Sequence, residues 1–166
     1  MSDLEKEEKL KTALQAKLGS AISDIIIQRK NRLWCDIKTE SLTALLTLMK
    51  EELGFNHMAT ISGVDLGECL GAVYHLTDTH IIVNIRAKTL RTAPELPTVT
   101  RIFPGSEPYE RELEDMFGIK IKGLKPGRRY PLPDDFPTDQ HPLRKDWKVS
   151  EFLHSQEKTA PATEAE

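Results

Sequence analysis

The stretch that decides the fold is residues 57–88, HMATISGVDLGECLGAVYHLTDTHIIVNIRAK. It contains three runs rich in apolar and β-branched residues, at 57–64, 69–77 and 80–88. The segments between these runs, Asp65-Leu66-Gly67 and Asp78-Thr79, carry residues that favour turns. The stretch therefore predicts three consecutive strands of a β-sheet.

The sequence before this stretch predicts two helices and a hairpin. Leucines near one face predict a first helix over about residues 4–18. Two β-branched or apolar runs, at 23–28 and 32–37, flank a polar turn and predict the hairpin. A leucine stripe then predicts a second helix from Thr39, whose side chain suits an N-cap, to Gly54. Such a stripe is typical of a helix face that packs on a core.

The sequence after the stretch predicts two more helices. A short one begins near Pro97, a residue that suits a first helical turn, and ends before Pro104-Gly105. A longer one covers about residues 106–117, with apolar residues at positions i, i+4, i+7 and i+8 from Tyr109. This order of elements predicts an α+β fold, in which a mixed or antiparallel sheet carries helices on one face.

Length and charge limit the kinds of function that the chain can have. With 166 residues it can bury one sizeable core, so we expect one domain with at most an appendage. Its 26 acidic and 23 basic residues leave a net charge of -3. This balance provides no broad basic surface, which argues against general binding to nucleic acid or anionic membranes.

The cysteines, the start of the chain and the apolar runs indicate where in the cell the protein is located. Cys35 and Cys69 stand outside any C-x-x-C pair or Cys/His cluster, so we expect buried free thiols rather than a metal site. The acidic start of the chain lacks the apolar region of a secretory leader. No aliphatic run approaches the roughly 20 residues that span a bilayer. We therefore expect a soluble, intracellular protein.

The longer of the two later helices is dense in acid. Its carboxylates are Glu107, Glu110, Glu112, Glu114 and Asp115, against a single Arg111. Glu110 and Glu114 share a face at i, i+4, a spacing that suits a general acid and base. The helix dipole also favours acid in the first turns without any catalysis, and we favour this second interpretation.

Residues 119–148, which we call the arm, differ from the rest of the chain. Five prolines and two glycines between positions 123 and 142 exclude a long helix or a central strand. Large apolar residues recur along the arm: Leu124, Tyr130, Leu132, Phe136, Leu143 and Trp147. Stiff, proline-rich chain with spaced apolar anchors is typical of an extended binding segment. We favour a partner subunit over the protein's own domain as the surface it binds, because a small chain has limited area to offer.

The sequence thus divides into three parts. Residues 1–118 form the predicted α+β domain, 119–148 the extended partner-binding arm, and 149–166 a terminal segment that we expect to be largely disordered. No nucleotide-binding loop, nucleophile elbow or metal signature is present. Arg128-Arg129 would suit a phosphate or a carboxylate, but pairing with nearby or partner acids is the simpler interpretation. We find no self-contained active site.

The last third of the chain resembles a known family. The resemblance rests on YERELEDMFGI (109–119), Arg128-Arg129, LPDDF (132–136) and HPLRKD (141–146). In combination these blocks are similar to the signature of the 30-kDa subunit of complex I, the C subunit of NADH-quinone oxidoreductase. The same module occurs in energy-converting nickel–iron hydrogenases and in formate hydrogenlyase relatives.

The resemblance implies a peripheral protein on the cytoplasmic side of the cell membrane. Such a subunit holds no iron–sulfur cluster, flavin or nickel of its own. The iron–sulfur clusters, and nickel–iron in the hydrogenase branch, belong to partner subunits. Family members dock on a large hydrogenase-like subunit and a cluster-bearing small subunit, and electrons pass through those neighbours toward quinone or protons. The resemblance therefore implies an oxidoreductase subunit that is not catalytic alone.

We expect structural and interface roles, and no catalytic role, for the motif residues and the arm's aromatic anchors. These residues are Glu110, Arg111, Glu112, Asp115, Arg128, Arg129, Tyr130, Asp134, Asp135, His141, Arg144, Lys145, Asp146 and Trp147.

Two departures from the respiratory pattern keep both branches of the family open. Leu124-Lys125-Pro126-Gly127 stands where respiratory members usually show His-Pro and an acid, and the chain lacks their longer extension after Trp147. Two other classes also stay open. One is a free-standing enzyme that uses Glu110, Asp115 or His141. The other is a nucleic-acid module that uses the basic arm, although its few cations are interrupted by acids.

Overall fold

A computed structural model describes residues 4–153, and its elements follow the predicted order as far as the third strand of the stretch at 57–88. The helices are α1 (Glu5–Leu18), α2 (Leu42–Glu51) and α3 (Glu107–Phe117). The strands are β1 (Ile22–Arg29), β2 (Arg32–Ile37), β3 (His57–Asp65), β4 (Cys69–Thr77), β5 (Ile82–Leu90), β6 (Glu95–Pro97) and β7 (Lys120–Lys122).

The first five strands form one mixed sheet in the order β1-β2-β5-β4-β3. Tight turns make β3, β4 and β5 antiparallel neighbours, as β1 and β2 are in the hairpin. The connection through α2 carries the chain across the sheet, so that β5 returns beside β2 and pairs with it in parallel. The α+β class and the mixed sheet are therefore confirmed.

The hydrophobic core lies on one face of this sheet. Cys35 on β2 and Tyr74 on β4 lie opposite Ile85 on β5, and all three are fully buried. They belong to one cluster with buried residues of all three helices, such as Leu14 and Leu46. Val73, whose side chain points to the other face by strand alternation, is buried but lies outside that cluster.

Two elements begin at other residues than predicted, in each case because of local hydrogen bonds. β5 begins at Ile82 rather than 80, because the Asp78 carboxylate accepts hydrogen bonds from the N–H groups of His80 and Ile81 and prolongs the turn. α2 begins after a single 3₁₀ turn, and the Thr39 hydroxyl donates to the Lys88 carbonyl instead of capping the helix.

The short helix predicted from Pro97 is wrong. Residues 95–97 form β6, which pairs in parallel with β7. A turn follows, in which the N–H of Phe103 donates to the carbonyl of Val99. Pairing with a strand more than twenty positions away outweighs the local preference of Pro97 for a helical start.

The core continues past the predicted domain boundary at residue 118. Ile119 and Ile121 are buried in the main cluster, so the first residues of the arm belong to the folded domain. The rest of the arm has no strand or helix, and backbone hydrogen bonds close successive turns, such as Phe136 to Pro133 and Trp147 to Arg144. The predicted extended conformation is therefore not confirmed.

The terminal segment predicted over 149–166 divides in two. Residues 149–153 form a helical turn rather than a disordered tail, with the N–H of Phe152 donating to the Lys148 carbonyl. The rest of the predicted segment, residues 154–166, lies outside the described residues.

α3 lies directly against β3, and a glycine permits the close approach. A Cβ atom built on Gly63 would stand only 2.2 Å from the Phe117 ring. Tyr109, on the same helix, donates its hydroxyl to the Ala59 carbonyl at 3.3 Å. This contact fixes the helix at the edge of the sheet.

The thiols differ in their surroundings. Cys35 is buried in the core as expected, and burial raises the pKa of its thiol to about 12. Cys69 is only partly buried. Within residues 4–153, no helix is both long enough and apolar enough to cross a membrane.

Candidate interaction site

The arm caps the C-terminal end of α3. A helix leaves its last carbonyls without partners inside the helix, and here the arm supplies donors to three of them. The donors are the His141 ring Nδ1 to Asp115 at 3.0 Å, the Leu143 N–H to Met116 at 3.1 Å and the Arg144 Nε to Phe117 at 2.6 Å. Gly118 closes the helix in the left-handed conformation, with φ of 63°. The family-like motif around His141 thus satisfies the backbone of its own helix.

Asp115 makes a second attachment between α3 and the arm. One carboxylate oxygen accepts the Arg129 Nε at 2.9 Å, and the other accepts the Tyr130 N–H at 2.9 Å. The Arg129 guanidinium also donates to the Phe136 carbonyl and lies over the Phe136 ring. Because Asp115 is buried, these charge-assisted bonds are shielded from solvent.

Asp65, the last residue of β3, ties the end of the arm to the sheet. Its carboxylate accepts hydrogen bonds from the Arg91 guanidinium at 2.8 Å and from the N–H of Lys145 at 2.8 Å. Arg91 also pairs with Asp146 at 2.8 Å. Burial alone would raise the Asp65 pKa, but the bonds from Arg91 and from the N–H groups of Lys145 and Gly67 outweigh it and lower the pKa to about 2.

An aromatic cluster fastens the helical turn at 149–153 to the arm. Phe136 and Phe152 stack with ring centroids 5.1 Å apart, and Trp147 lies 5.8 Å from Phe152. The Trp147 indole N–H donates to the Gln140 side-chain oxygen at 2.8 Å. The predicted anchor Trp147 therefore contacts its own chain and remains partly exposed.

Glu110 is fully buried and organises the turn before α3. Its carboxylate accepts the Val99 N–H at 2.6 Å and the Thr98 hydroxyl at 2.7 Å. Burial raises the pKa of the Glu110 carboxyl, although these two donors favour the charged form. Glu114 is engaged as well, since it accepts the Ile121 N–H at 3.2 Å. The arrangement gives no substrate direct access to Glu110.

The remaining motif residues lie nearer the surface. Arg111 pairs with Glu107 at 2.7 Å and donates to the Lys125 carbonyl at 3.0 Å. Arg128 and Asp134 form an exposed ion pair at 3.1 Å. Asp135 and Lys145 are exposed and Glu112 is partly exposed.

The arm and the turn after it present apolar side chains to solvent. Tyr130, Leu143, Val149 and Leu153 are between 47% and 57% exposed. Val149 and Leu153 stand at i, i+4 on the helical turn and therefore share a face. Within residues 4–153, the other large apolar side chains that are exposed are Ile26, Leu66 and Leu90. Other arm residues contact α3 and Asp65, while these four side chains (Tyr130, Leu143, Val149 and Leu153), which we call the apolar strip, are exposed.

The sequence does not identify Asp65 and Arg91 as residues that attach the arm to the sheet. The Asp65-Leu66-Gly67 segment predicts a turn, and the structure contains it: the Gly67 N–H donates to the Asp65 carboxylate at 2.8 Å. No sequence signal links Asp65 to Lys145, because 80 positions separate them. Across residues 4–153, no group of three or more His, Cys, Asp or Glu side chains is arranged to hold a metal ion.

Comparison with known sequences identifies relatives of the chain. The C subunit of NADH-quinone oxidoreductase from Moorella thermoacetica is 38% identical over 117 residues, which cover 68% of this chain and 78% of that protein. The C subunit of F(420)H(2) dehydrogenase from Methanosarcina mazei is 30% identical over 82% of this chain and 88% of its own length. Formate hydrogenlyase subunit 5 of Escherichia coli is 31% identical over 96% of this chain, which spans only 29% of that larger protein.

Two solved structures share the fold. A chain of the archaeal membrane-bound sulfane sulfur reductase aligns with a TM-score of 0.78 at 24% identity, covering 98% of this chain and 96% of that chain. The trypsin-resistant fragment of Nqo5 aligns with a TM-score of 0.62 at 25% identity, covering 72% of this chain and 99% of that fragment. Residues 35–153 also match the family described as the respiratory-chain NADH dehydrogenase 30 Kd subunit. This match and the identity to the Moorella and Methanosarcina proteins show that the chain belongs to the complex I 30-kDa subunit family, which includes hydrogenase-type members.

Proposed function

We propose that this chain is a cofactor-free, peripheral subunit of a membrane-associated redox complex. It docks on a large hydrogenase-like subunit and a cluster-bearing small subunit, on the cytoplasmic side of the membrane. It supports electron transfer toward quinone or protons by holding these neighbours together, and it performs no redox step itself.

The observation that carries the proposal is the apolar strip formed by Tyr130, Leu143, Val149 and Leu153. The arm beneath the strip is held by the carbonyls of α3, by Asp115 and by Asp65. A rigid segment loses little conformational entropy when it binds, and exposed aromatic and aliphatic side chains supply the contact area. The arm is therefore suited to bind a partner without refolding.

The relatives support the proposed setting. They include a quinone oxidoreductase subunit, an F(420)H(2) dehydrogenase subunit and a formate hydrogenlyase subunit, and the fold recurs in a membrane-bound respiratory complex. These proteins differ in the electron donors and acceptors that their names give. A shared module across such reactions fits a structural subunit better than a substrate-specific catalyst.

The geometry favours this function over a free-standing enzyme. The two acids that such an enzyme would use, Glu110 and Asp115, are buried, and both oxygens of each carboxylate accept hydrogen bonds from the chain itself. The His141 Nδ1 donates to the Asp115 carbonyl at the end of α3, which fixes the orientation of the ring. A general acid or base must reach its substrate, and these groups are already engaged in holding the fold.

The proposal is tested by co-purification from the cell that makes the protein. An affinity tag on the full-length chain should recover a membrane complex whose subunits, identified by mass spectrometry, include a large hydrogenase-like chain and a cluster-bearing chain. Nickel-ligating cysteines in the large chain would assign the hydrogenase branch, and their absence the quinone-reductase branch.

A matched pair of variants separates docking from folding. The double variant Val149→Asp/Leu153→Asp places two charges on the strip and should lower recovery of the complex at least about tenfold. Ala16→Asp places the same charge at an exposed apolar position on α1 and should leave recovery unchanged. Thermal unfolding of each free chain identifies a folding defect, and Leu143→Asp then provides an independent test. Normal recovery with all three strip substitutions would overturn the proposal.

A further inference from the structure

A second surface of the molecule has no role in the docking described above. This surface, which we call the open face, is the side of the five-stranded sheet opposite the core. Strand alternation places Trp34, Asn84, Val73 and Arg86 there, on β2, β5 and β4. Buried residues of all three helices cluster with the other side of the sheet, so no helix within residues 4–153 covers the open face.

Polar side chains on the open face are held in place by one another. The His75 Nδ1 lies 2.7 Å from the Asn84 side-chain oxygen, and its Nε2 lies 3.3 Å from the Ser62 hydroxyl. The Asn84 amide nitrogen donates to the Leu33 carbonyl at 3.3 Å, which fixes the orientation of the amide. Three strands thus contribute to a single ordered row of hydrogen-bonding groups.

A second network surrounds the indole ring of Trp34. The Arg86 guanidinium lies over this ring at 5.6 Å, and it forms a two-pronged pair with Asp36 at 2.9 and 2.8 Å. Lys88 joins the same carboxylate at 2.6 Å. Ile26, directly opposite Trp34 on β1, is 54% exposed. A partly buried tryptophan beside an exposed isoleucine, with an arginine stacked on the ring, has the composition of an interface hot spot.

The open face is more basic than the chain as a whole. Within residues 4–153, it carries the cations Arg29, Arg32, Arg86 and Lys88, and the register places Arg29 opposite Arg32. The acids Asp36 and Asp24, whose charges act on Arg86, oppose them. The face is therefore net positive in a chain whose net charge is -3.

We propose that the open face binds an acidic surface of a second polypeptide of the same complex, with Trp34 and Ile26 as apolar anchors. This inference rests on the proposed function, and it gives the subunit two docking surfaces, so that it bridges two neighbours. Carboxylates of the partner meet Arg29, Arg32 and Lys88. Because the networks of His75 and Arg86 already hold their side chains, ordering them on binding costs little entropy.

The test compares the free chain with the chain inside its purified complex. Hydroxyl-radical oxidation of Trp34, followed by mass spectrometry, should slow at least about fivefold on assembly, because an interface core excludes water. Equal oxidation of Trp34 in both states would overturn the inference.

A charge-reversal pair tests the acidic character of the partner. Arg29→Glu should lower recovery of the complex at least about tenfold, with a larger loss at low salt than at high salt. Lys6→Glu makes the same charge change on the exposed side of α1 and should have no effect. Unchanged recovery with Arg29→Glu would overturn the inference, as would Trp34 protection that also occurs in the free chain on self-association.

The two proposals fail in different ways. If the tagged wild-type chain recovers no complex, both are overturned. If a complex is recovered and the strip variants abolish it, while Trp34 stays accessible and Arg29→Glu behaves as wild type, only the inference about the open face is overturned.

Discussion

At the scale of single residues, Asp115 joins α3 to the arm through both of its carboxylate oxygens. The sequence marks Asp115 as one acid among several on a helix, and the family resemblance marks it as a motif residue. Neither source shows that its partners are Arg129 and the N–H of Tyr130, because that contact depends on the path of an irregular segment. Because Asp115 is buried, breaking this contact should cost more stability than breaking an ion pair at the surface.

Asp115→Asn should lower the free energy of unfolding by about 1–3 kcal/mol, because it removes the charge that Arg129 needs and weakens two buried hydrogen bonds. Urea unfolding followed by tryptophan fluorescence measures the loss. Asp134→Asn is the matched control, since Asp134 pairs with Arg128 in the exposed part of the arm. The control should change stability by less than about 0.5 kcal/mol. Equal losses in both variants would show that Asp115 does not anchor the arm.

Asp65 predicts a specific dependence of stability on pH. Its pKa is about 2 in the folded chain, below the ordinary value of 3.8, so the folded state binds the proton more weakly than the unfolded state. The stabilisation is therefore complete above about pH 4 and is lost as the pH falls toward 2. Wild type should exceed Asp65→Asn in unfolding free energy by about 1–2 kcal/mol at pH 7, and the difference should shrink at pH 2.5.

The control for this pH dependence is Asp139→Asn, at an exposed position of the arm. Its difference from wild type should stay small at both pH values. A constant gap between wild type and Asp65→Asn from pH 7 to 2.5 would contradict the assigned role of Asp65.

At the scale of elements, periodicity and turn chemistry predict α1, the β1–β2 hairpin, the β3–β5 meander and α3 because each of these elements is decided locally. The three-residue strands β6 and β7 have no alternation to detect, and their pairing joins segments more than twenty positions apart. The same limit applies to the candidate site. Motif blocks single out Arg129, His141 and Arg144, but their intramolecular partners depend on tertiary packing.

Gly63→Ala tests the contact between α3 and β3. The added Cβ would stand 2.2 Å from the Phe117 ring, so the helix must move away from the sheet. We expect a loss of about 1–3 kcal/mol in unfolding free energy from this overpacking, measured by chemical unfolding. Gly105→Ala makes the same change where no atom lies within 4 Å, and it should be close to neutral. Similar stability of the two variants would contradict direct packing of α3 on β3.

A pair of truncations tests where the folded domain ends. A chain of residues 1–123 keeps β7 with the buried Ile119 and Ile121, whereas residues 1–118 lose them. Each buried isoleucine contributes about 1.5–3 kcal/mol. Thermal melts by circular dichroism should therefore show a clearly lower midpoint for the shorter chain. Equal midpoints would place the boundary at 118, as the sequence alone predicts.

At the scale of the whole molecule, the contacts that stabilise the fold are distinct from the surfaces that we propose to bind partners. One side of the sheet supports the core, α3 and the arm, and the arm carries the exposed strip of Tyr130, Leu143, Val149 and Leu153. The opposite side is a polar, ordered surface of opposite charge to the chain as a whole. Two separate surfaces of this kind suit a subunit that joins neighbours in a larger assembly.

Amide hydrogen exchange of the free chain and of the purified complex tests the docking role of the arm most directly. Residues 124–148 lie outside any strand or helix, so most of their amides should exchange quickly in the free chain. In the complex, peptides covering residues 128–153 should exchange at least about tenfold more slowly. The outer surface of α1 should be unaffected. If those peptides exchange at the same rate in both states, the arm does not dock, and the central claim is contradicted.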